Sequence, residues 1–275
     1  MKTTNKGIKE FIFEQKCIPW RVKNLFSREK ILLSFCNEII RDFSEFSGIS
    51  IAKIYKYIKN FHQFTNKEWD SIPRNEYEKK ATEFYSNSEY YIYDLLSANP
   101  SKKAIVDKLN KFNPLLLQLI IQHPGLSFLE FGGGLGVFCQ IVTELGKEVT
   151  YLDIPGKVSE FALWRFKKFQ IPVKVIISDP SSSSPMLGCD YDIIFSDGVL
   201  EHVNNPELIV LSLSIHLRDN GLLMLLVDLD DSGEYLMHRR VDINKLHKIL
   251  KNSGLVNICG ENTFCSIWKK TNKNV

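Results

Sequence analysis

Apolar positions follow two rhythms along this chain, and the change falls near residue 113. In the front part they recur at spacings of three and four, the pattern of a helix with one buried face. Ile31, Leu32, Phe35, Ile39, Ile40 and Phe43 predict one helix, with Ser27 as its cap. Ile51, Ile54, Tyr55, Ile58 and Phe61 predict a second, capped by Ser50, and Gly48 stands between them as a stop. Residues 64–80 are polar, include Pro73, and read as a connection. Residues 84–96 are dense in tyrosine, and Asn99-Pro100 breaks the pattern.

Beyond residue 113 short apolar runs alternate with amphipathic stretches. Asn113-Pro114 opens a short helix that Pro124-Gly125 ends. Strands are predicted over 126–131, 147–153, 173–178, 191–196, 222–227, 255–259 and 264–268. Helices are predicted after Val137, from Pro155 to Phe169, from Asn205-Pro206 onward, and around 242–252 with an end at Gly254. Asp219-Asn220-Gly221 reads as a turn into Leu222–Val227, a wholly apolar strand of the kind buried on both faces. The expected fold is α/β, a doubly wound, mostly parallel seven-stranded sheet of Rossmann-like form, preceded by an all-helical N-terminal region. The division falls between a helical region, 1–100, and a sheet domain, 101–275. Repeats and low-complexity tracts are absent, and the polar residues 269–275 read as a frayed end.

Ligands of such sheets bind beyond the carboxyl ends of the strands. Glu130, Asp153, Asp179, Asp197 and Asp228 all fall there. The first strand, Phe128-Leu129-Glu130-Phe131, runs into Gly132-Gly133-Gly134-Leu135-Gly136-Val137. The glycine spacing fails the dinucleotide pattern G-x-G-x-x-G, because Val137 stands at the third position, and no Lys follows to make a phosphate-binding loop. What is present is E-x-G-x-G-x-G, with Glu130, Gly132, Gly134 and Gly136. This resembles the first motif of class I S-adenosylmethionine-dependent methyltransferases. A turn that only tightens strand-to-helix packing would use the same glycines. The segment Tyr191 to Val203 adds to the likeness: an acidic strand end, Asp197, then Leu200-Glu201-His202, as in small-molecule methyltransferases. DNA amino-methyltransferases carry Pro-Pro-aromatic here, and protein arginine methyltransferases carry two glutamates, of which only Glu201 is present. Some ubiquinone-pathway O-methyltransferases hold a metal with a glutamate where this chain has Gly198, so no metal is expected. The resemblance covers about residues 101–275, making that stretch the S-adenosylmethionine-binding domain and 1–100 its cap.

The resemblance implies roles for individual residues. The cofactor would be S-adenosylmethionine, held by Glu130, Phe131, Gly132, Gly133, Gly134 and Gly136 at its methionine end. Its ammonium suits Glu130, and its carboxylate suits N–H donors at a helix start. Asp153, 21 residues after Gly132, would meet the ribose, although it could instead cap the helix that follows; Ile154 beside it joins the cofactor set. Asp179 and Pro180 would meet the adenine, or form a turn only, and Ser196 and Asp197 complete the cofactor set. A base for the acceptor is sought in His202, Asp228 and His238, in that order; His202 also fits a structural histidine packed by the cofactor. Tyr85, Tyr90 and Tyr93 are the substrate candidates, and at least one of Tyr85, Tyr90, Tyr91 and Tyr93 is expected to touch cofactor or acceptor. The same tyrosines could be the seam where the helical region meets the sheet. Arg239 and Arg240 could clamp an acidic group or be ordinary surface charge.

Composition bounds the rest. The chain has 275 residues, 44% hydrophobic and 24% charged, enough for a packed core. It has no apolar run long enough to span a membrane and no visible secretory signal, so a cytoplasmic protein is expected. The six cysteines, Cys17, Cys36, Cys139, Cys189, Cys259 and Cys265, form no C-x-x-C pair and read as reduced thiols. Residues 1–125 carry 20 Lys/Arg against 14 Asp/Glu, while the remainder carries 15 against 18. That basic front raises an RNA methyltransferase as one alternative, but most of it reads as the solvated face of Lys-rich helices. A cofactor-binding protein without activity and a nicotinamide-dependent enzyme are the others. The favoured reading is methyl transfer to a small-molecule acceptor, O-methylation ahead of N- or C-methylation, with nucleic acid not expected as a partner and a homodimer allowed.

Overall fold

A computed structural model describes residues 37–72, 77–180, 187–228, 237–261 and 263–271. Residues from Asn37 onward form one compact unit. Among the described residues seven helices precede the sheet: α1 (Glu38–Ser47), α2 (Ile51–Lys59), α3 (Phe61–Ser71), α4 (Tyr77–Asn87), α5 (Tyr91–Ala98), α6 (Lys102–Phe112) and α7 (Leu115–Gln122). The part of the first expected helix before residue 37, with its cap Ser27, lies outside the described residues. Its remainder is α1, closed by Gly48 at φ 69°. Ser50 caps α2 by accepting from the Lys53 N–H at 3.4 Å.

The connection expected over 64–80 is replaced by α3 and the start of α4. The stretch is polar, but Phe61, Thr65 and Trp69 recur every four residues and are buried, a stripe one residue wide. Trp69 sets its ring edge-on to Phe84 at 5.4 Å. Glu68 locks the turn before α5, accepting from the Ser88 hydroxyl and from the Glu89 N–H at 3.0 Å.

The sheet comprises β1 (Ser127–Phe131), β2 (Glu148–Asp153), β3 (Val173–Ile177), β4 (Tyr191–Asp197), β5 (Leu217–Leu226), β6 (Leu255–Cys259) and β7 (Cys265–Lys270), in the order β3-β2-β1-β4-β5-β7-β6. Strands β3, β2, β1, β4 and β5 are mutually parallel, and β7 runs antiparallel to both β5 and β6. The intervening helices are α8 (Val137–Glu144), α9 (Lys157–Lys168), α10 (Pro206–Ile215) and α11 (Ile243–Asn252). The turn expected at 219–221 lies inside β5: the pairing with β4 jumps from Tyr191–Leu217 to Ile193–Leu222, and Asn220 takes φ 63° to absorb the surplus residues. No helix among the described residues is long and apolar enough to cross a membrane.

Two contacts fix the helical region over the sheet. The Phe43 ring of α1 meets Phe161 of α9 edge-on at 5.3 Å. Beside them the buried Arg165 guanidinium donates from Nε to Asp42 Oδ2 at 3.2 Å. The helix after β2 begins at Lys157 rather than Pro155. Gly156 intervenes at φ 150°, where a Cβ would stand 2.8 Å from the Ser86 carbonyl oxygen. The last turn of α4 therefore lies directly against the loop that follows β2.

Candidate active site

The glycine turn between β1 and α8 is shaped by close approach. Gly132 sits at φ 74° and Gly136 at φ 68°; a side chain on the first would collide with Val199, and on the second with the Phe166 ring. Its amides bind inward. Gly132 and Gly133 donate to the Leu152 carbonyl at 2.8 and 3.1 Å, Gly134 to Asp153 Oδ2 at 2.7 Å, and Gly136 to the Gly133 carbonyl at 2.9 Å. Glycine N–H groups expected to face a ligand are thus used internally: three tie the turn to the end of β2, and that of Gly136 closes the turn on itself.

Around this turn lies a crevice of two joined chambers. The larger, about 570 Å³, covers the ends of β1, β4 and β5 and is roofed by α5 and α6; Glu130, Phe138, Phe195, Asp228 and Lys108 are on its walls. The smaller, about 180 Å³, covers the end of β2, with Asp153, Ile154, Asp179 and Pro180 on one side and Tyr85 on the other. Tyr91, Gly132, Gly134, Asp197, Gly198 and His202 border both. Phe131 belongs to the smaller chamber, and Gly133 and His238 to the larger.

Other expected site residues lie elsewhere. Gly136 is behind the turn against Phe166, and Ser196 is fully buried within β4. Of the tyrosines, Tyr85 and Tyr91 border the crevice, whereas Tyr90 stacks on Phe64 at 4.7 Å and Tyr93 packs on Phe43 at 5.7 Å. Helix geometry explains the split: Tyr91, Asp94, Leu95 and Ala98 share the crevice face of α5, and Ile92, Tyr93 and Leu96 take the buried one. Arg239 donates to the Val203 and Asn204 carbonyls at 3.4 and 2.8 Å, and neither it nor Arg240 lines a chamber.

Three residues on the crevice walls escaped the sequence reading. Lys108 of α6 reaches Asp197 Oδ2 at 2.5 Å, Asp94 faces the larger chamber from α5, and Phe112 lines it from the end of α6. The only available signal was a lysine within the Ile105, Leu109, Phe112 stripe of α6.

Burial dominates the electrostatics. It pushes the Glu130 carboxyl up to about 8 against hydrogen bonding from Cys139, and Glu201 up to about 7. Asp94 rises to about 6 through burial and then repulsion from Asp228, and Asp153 to about 6 through burial, opposed by its hydrogen bonds. Glu130 Oε2 and Glu201 Oε2 have no hydrogen-bond partner among the described residues. His202 Nδ1 is 2.5 Å from the Tyr85 hydroxyl, and the His238 ring stands 4.6 Å away. Burial, then that neighbouring histidine, depresses His202 well below the usual imidazole range.

These shifts set the pH dependence of folding. A carboxyl with a raised folded pKa holds a proton that the unfolded chain has released, so its stabilisation is lost as pH climbs through the folded value. For Glu201 and Glu130 that loss extends to about 7 and 8. His202 acts oppositely, but only below its unfolded value near 6.5. Melting temperature should therefore fall by a few degrees, about 1–2 kcal/mol, between pH 6.5 and 8.5. A scanning-calorimetry profile that rises over this window would contradict the assignment.

The family model for a methyltransferase domain matches residues 86–275, more than half of the chain. The chain belongs to the class I S-adenosylmethionine-dependent methyltransferases. The family uses S-adenosylmethionine as methyl donor. Two curated relatives are ubiquinone biosynthesis O-methyltransferases. That of Photorhabdus laumondii is 30% identical over 106 residues, 37% of this chain and 44% of the relative. That of Proteus mirabilis is 26% identical over 150 residues, 52% of this chain and 61% of the relative. This methyltransferase thus matches about half the length of those relatives. Among solved structures, the magnesium protoporphyrin IX methyltransferase of Synechocystis, with bound SAM, shares the fold at TM-score 0.52 and 13% identity, covering 73% of this chain and all of its own. The same enzyme with bound SAH gives 0.54 at 12% identity, covering 71% and all of its own.

Proposed function

We propose that this methyltransferase transfers the methyl group of S-adenosylmethionine to a hydroxyl oxygen of a small molecule, with the helices before residue 101 as its cap. The observation that carries the reading is the junction of the two chambers at Gly132, Gly134, Asp197 and His202. The smaller chamber suits the adenosyl half: Asp153 borders it for a ribose, and Asp179 and Pro180 for a base. At the junction's deep side Glu130 Oε2 is buried without a protein partner, which suits an ammonium donor. Because the glycine amides are engaged internally, Lys108 is the cation positioned for a carboxylate at that end. The cofactor, when bound, supplies an electrophilic sulfonium methyl.

The chain's own residues would orient the acceptor and take its proton. With Nδ1–H donating to the Tyr85 oxygen, His202 keeps Nε2 as an acceptor, and its depressed pKa keeps the ring neutral near pH 7. Tyr85 and Tyr91 close the junction and exclude water from it. The relatives' name, ubiquinone biosynthesis O-methyltransferase, supports oxygen as the acceptor atom. Calorimetry should show S-adenosylmethionine and S-adenosylhomocysteine binding, with none for NAD. Binding of NAD alone would remove the proposal, as would a failure of labelled methyl transfer to any hydroxyl compound in a cell extract.

A further inference from the structure

We propose that the acceptor carries a protonated nitrogen, bound on the wall of the larger chamber by Glu201 and Asp94. The inference rests on the proposed reaction, since it names the chemistry of the second substrate in the same crevice.

Five carboxylates line that chamber: Asp94, Glu130, Asp197, Glu201 and Asp228. Among the described residues its one lysine is Lys108, already on Asp197. Glu130 lies beside the glycine turn and answers to the ammonium of the methyl donor. Asp228 has the His238 imidazole within 3.9 Å. Glu201 and Asp94 remain, one from the turn after β4 and one from α5, so a ligand between them is gripped from the sheet and from the roof.

Glu201 is the sharper of the two. The residue is 1% exposed, and its Oε1 accepts from the Asp228 N–H at 2.9 Å, which fixes the carboxylate in place. Its Oε2 is buried with no hydrogen-bond partner among the described residues. A carboxylate oxygen held this way is costly unless the chamber's occupant donates to it. An ammonium offers three donors and a compensating charge. A neutral body offers fewer, and an acidic acceptor would meet repulsion from Asp228 on the same wall. The arginines that could have welcomed an acid, Arg239 and Arg240, are not in the chamber. Phe112, Phe138, Leu109 and Phe264 make up much of the remaining wall, so the rest of the acceptor is apolar or aromatic. The acceptor class is therefore an amphipathic amine that also bears the hydroxyl to be methylated.

The test uses the full chain saturated with S-adenosylhomocysteine and three phenols differing in side-chain charge: tyramine, 4-ethylphenol and 3-(4-hydroxyphenyl)propionate. Saturation-transfer NMR with competition should rank tyramine at least about tenfold tighter than the other two, the worth of one charge-assisted hydrogen bond. Glu201→Gln and Asp94→Asn should each cut that preference several-fold with S-adenosylhomocysteine affinity retained, and Asp94→Asn carries the test if the buried Glu201 variant does not fold. Equal binding of the three phenols, including no binding by any, overturns the inference, as does a preference that survives Asp94→Asn. Failure of S-adenosylhomocysteine to bind the unaltered protein is a separate result, which overturns the proposed reaction and this inference with it.

Discussion

Replacing Arg165 with alanine should destabilise the protein by about 3–5 kcal/mol, the usual consequence of removing one partner from a buried ion pair. Arg165 is 1% exposed, and its guanidinium makes contacts in three directions. Nε donates to Asp42 Oδ2 at 3.2 Å, Nη1 to the Leu135 carbonyl at 3.2 Å and Nη2 to Gln140 Oε1 at 2.8 Å. Burial lowers its pKa, and Asp42, the first of its acidic neighbours, works against that. Without it Asp42 keeps, among the described residues, only Lys168, at 3.4 Å and more closely engaged with Glu45 at 2.6 Å. Asp42 is on α1 and Leu135 is in the glycine turn, so one side chain joins the helical region to that turn. Urea titration should show the loss, and Asp42→Ala added to Arg165→Ala should recover part of it by removing the stranded carboxylate. A loss below about 1 kcal/mol would mean that water or Lys168 replaces the guanidinium.

Which parts of this molecule are legible in its sequence follows from how local their causes are. The glycine turn is legible because Gly132 and Gly136 need a positive φ and a missing side chain, and those demands appear as residue identity. The strands are legible because Leu129, Ile194 and Leu223 belong to short apolar runs bounded by turn or polar residues. Helix α3 was hidden because its buried stripe holds one residue per turn, and the partners that make Trp69 a core residue, Phe84 and Met237, come from distant segments. The face of a helix is likewise set by docking. Density of tyrosine gave no means of separating Tyr91, in the crevice, from Tyr93, in the core two residues on. Lys108 and Asp94 border the crevice only because α5 and α6 roof the strand ends, and Arg239 stays out of it because two carbonyls of the turn between β4 and α10 capture it. Acidic residues at strand ends were found because topology alone brings those ends together.

Replacing Asp153 with alanine should weaken S-adenosylhomocysteine binding at least about tenfold and also lower stability by about 1–3 kcal/mol, because it strands buried donors. The structure gives that carboxylate three protein partners: the Gly134 N–H at 2.7 Å, the Ile154 N–H at 2.8 Å and the Tyr151 hydroxyl at 3.3 Å. It is not the cap of α9, which begins after Gly156 without a side-chain cap. One carboxylate thus anchors the glycine turn to β2 while bordering the smaller chamber, and loss of affinity alone would not separate direct contact from a loosened turn. A ligand lacking the ribose 2′-hydroxyl separates them. If Asp153 accepts from the ribose, deleting the hydroxyl should weaken binding to the unaltered protein and have little further effect on Asp153→Ala, giving a coupling of about 1 kcal/mol or more. If both proteins lose the same affinity, Asp153 acts on the cofactor only by holding Gly134.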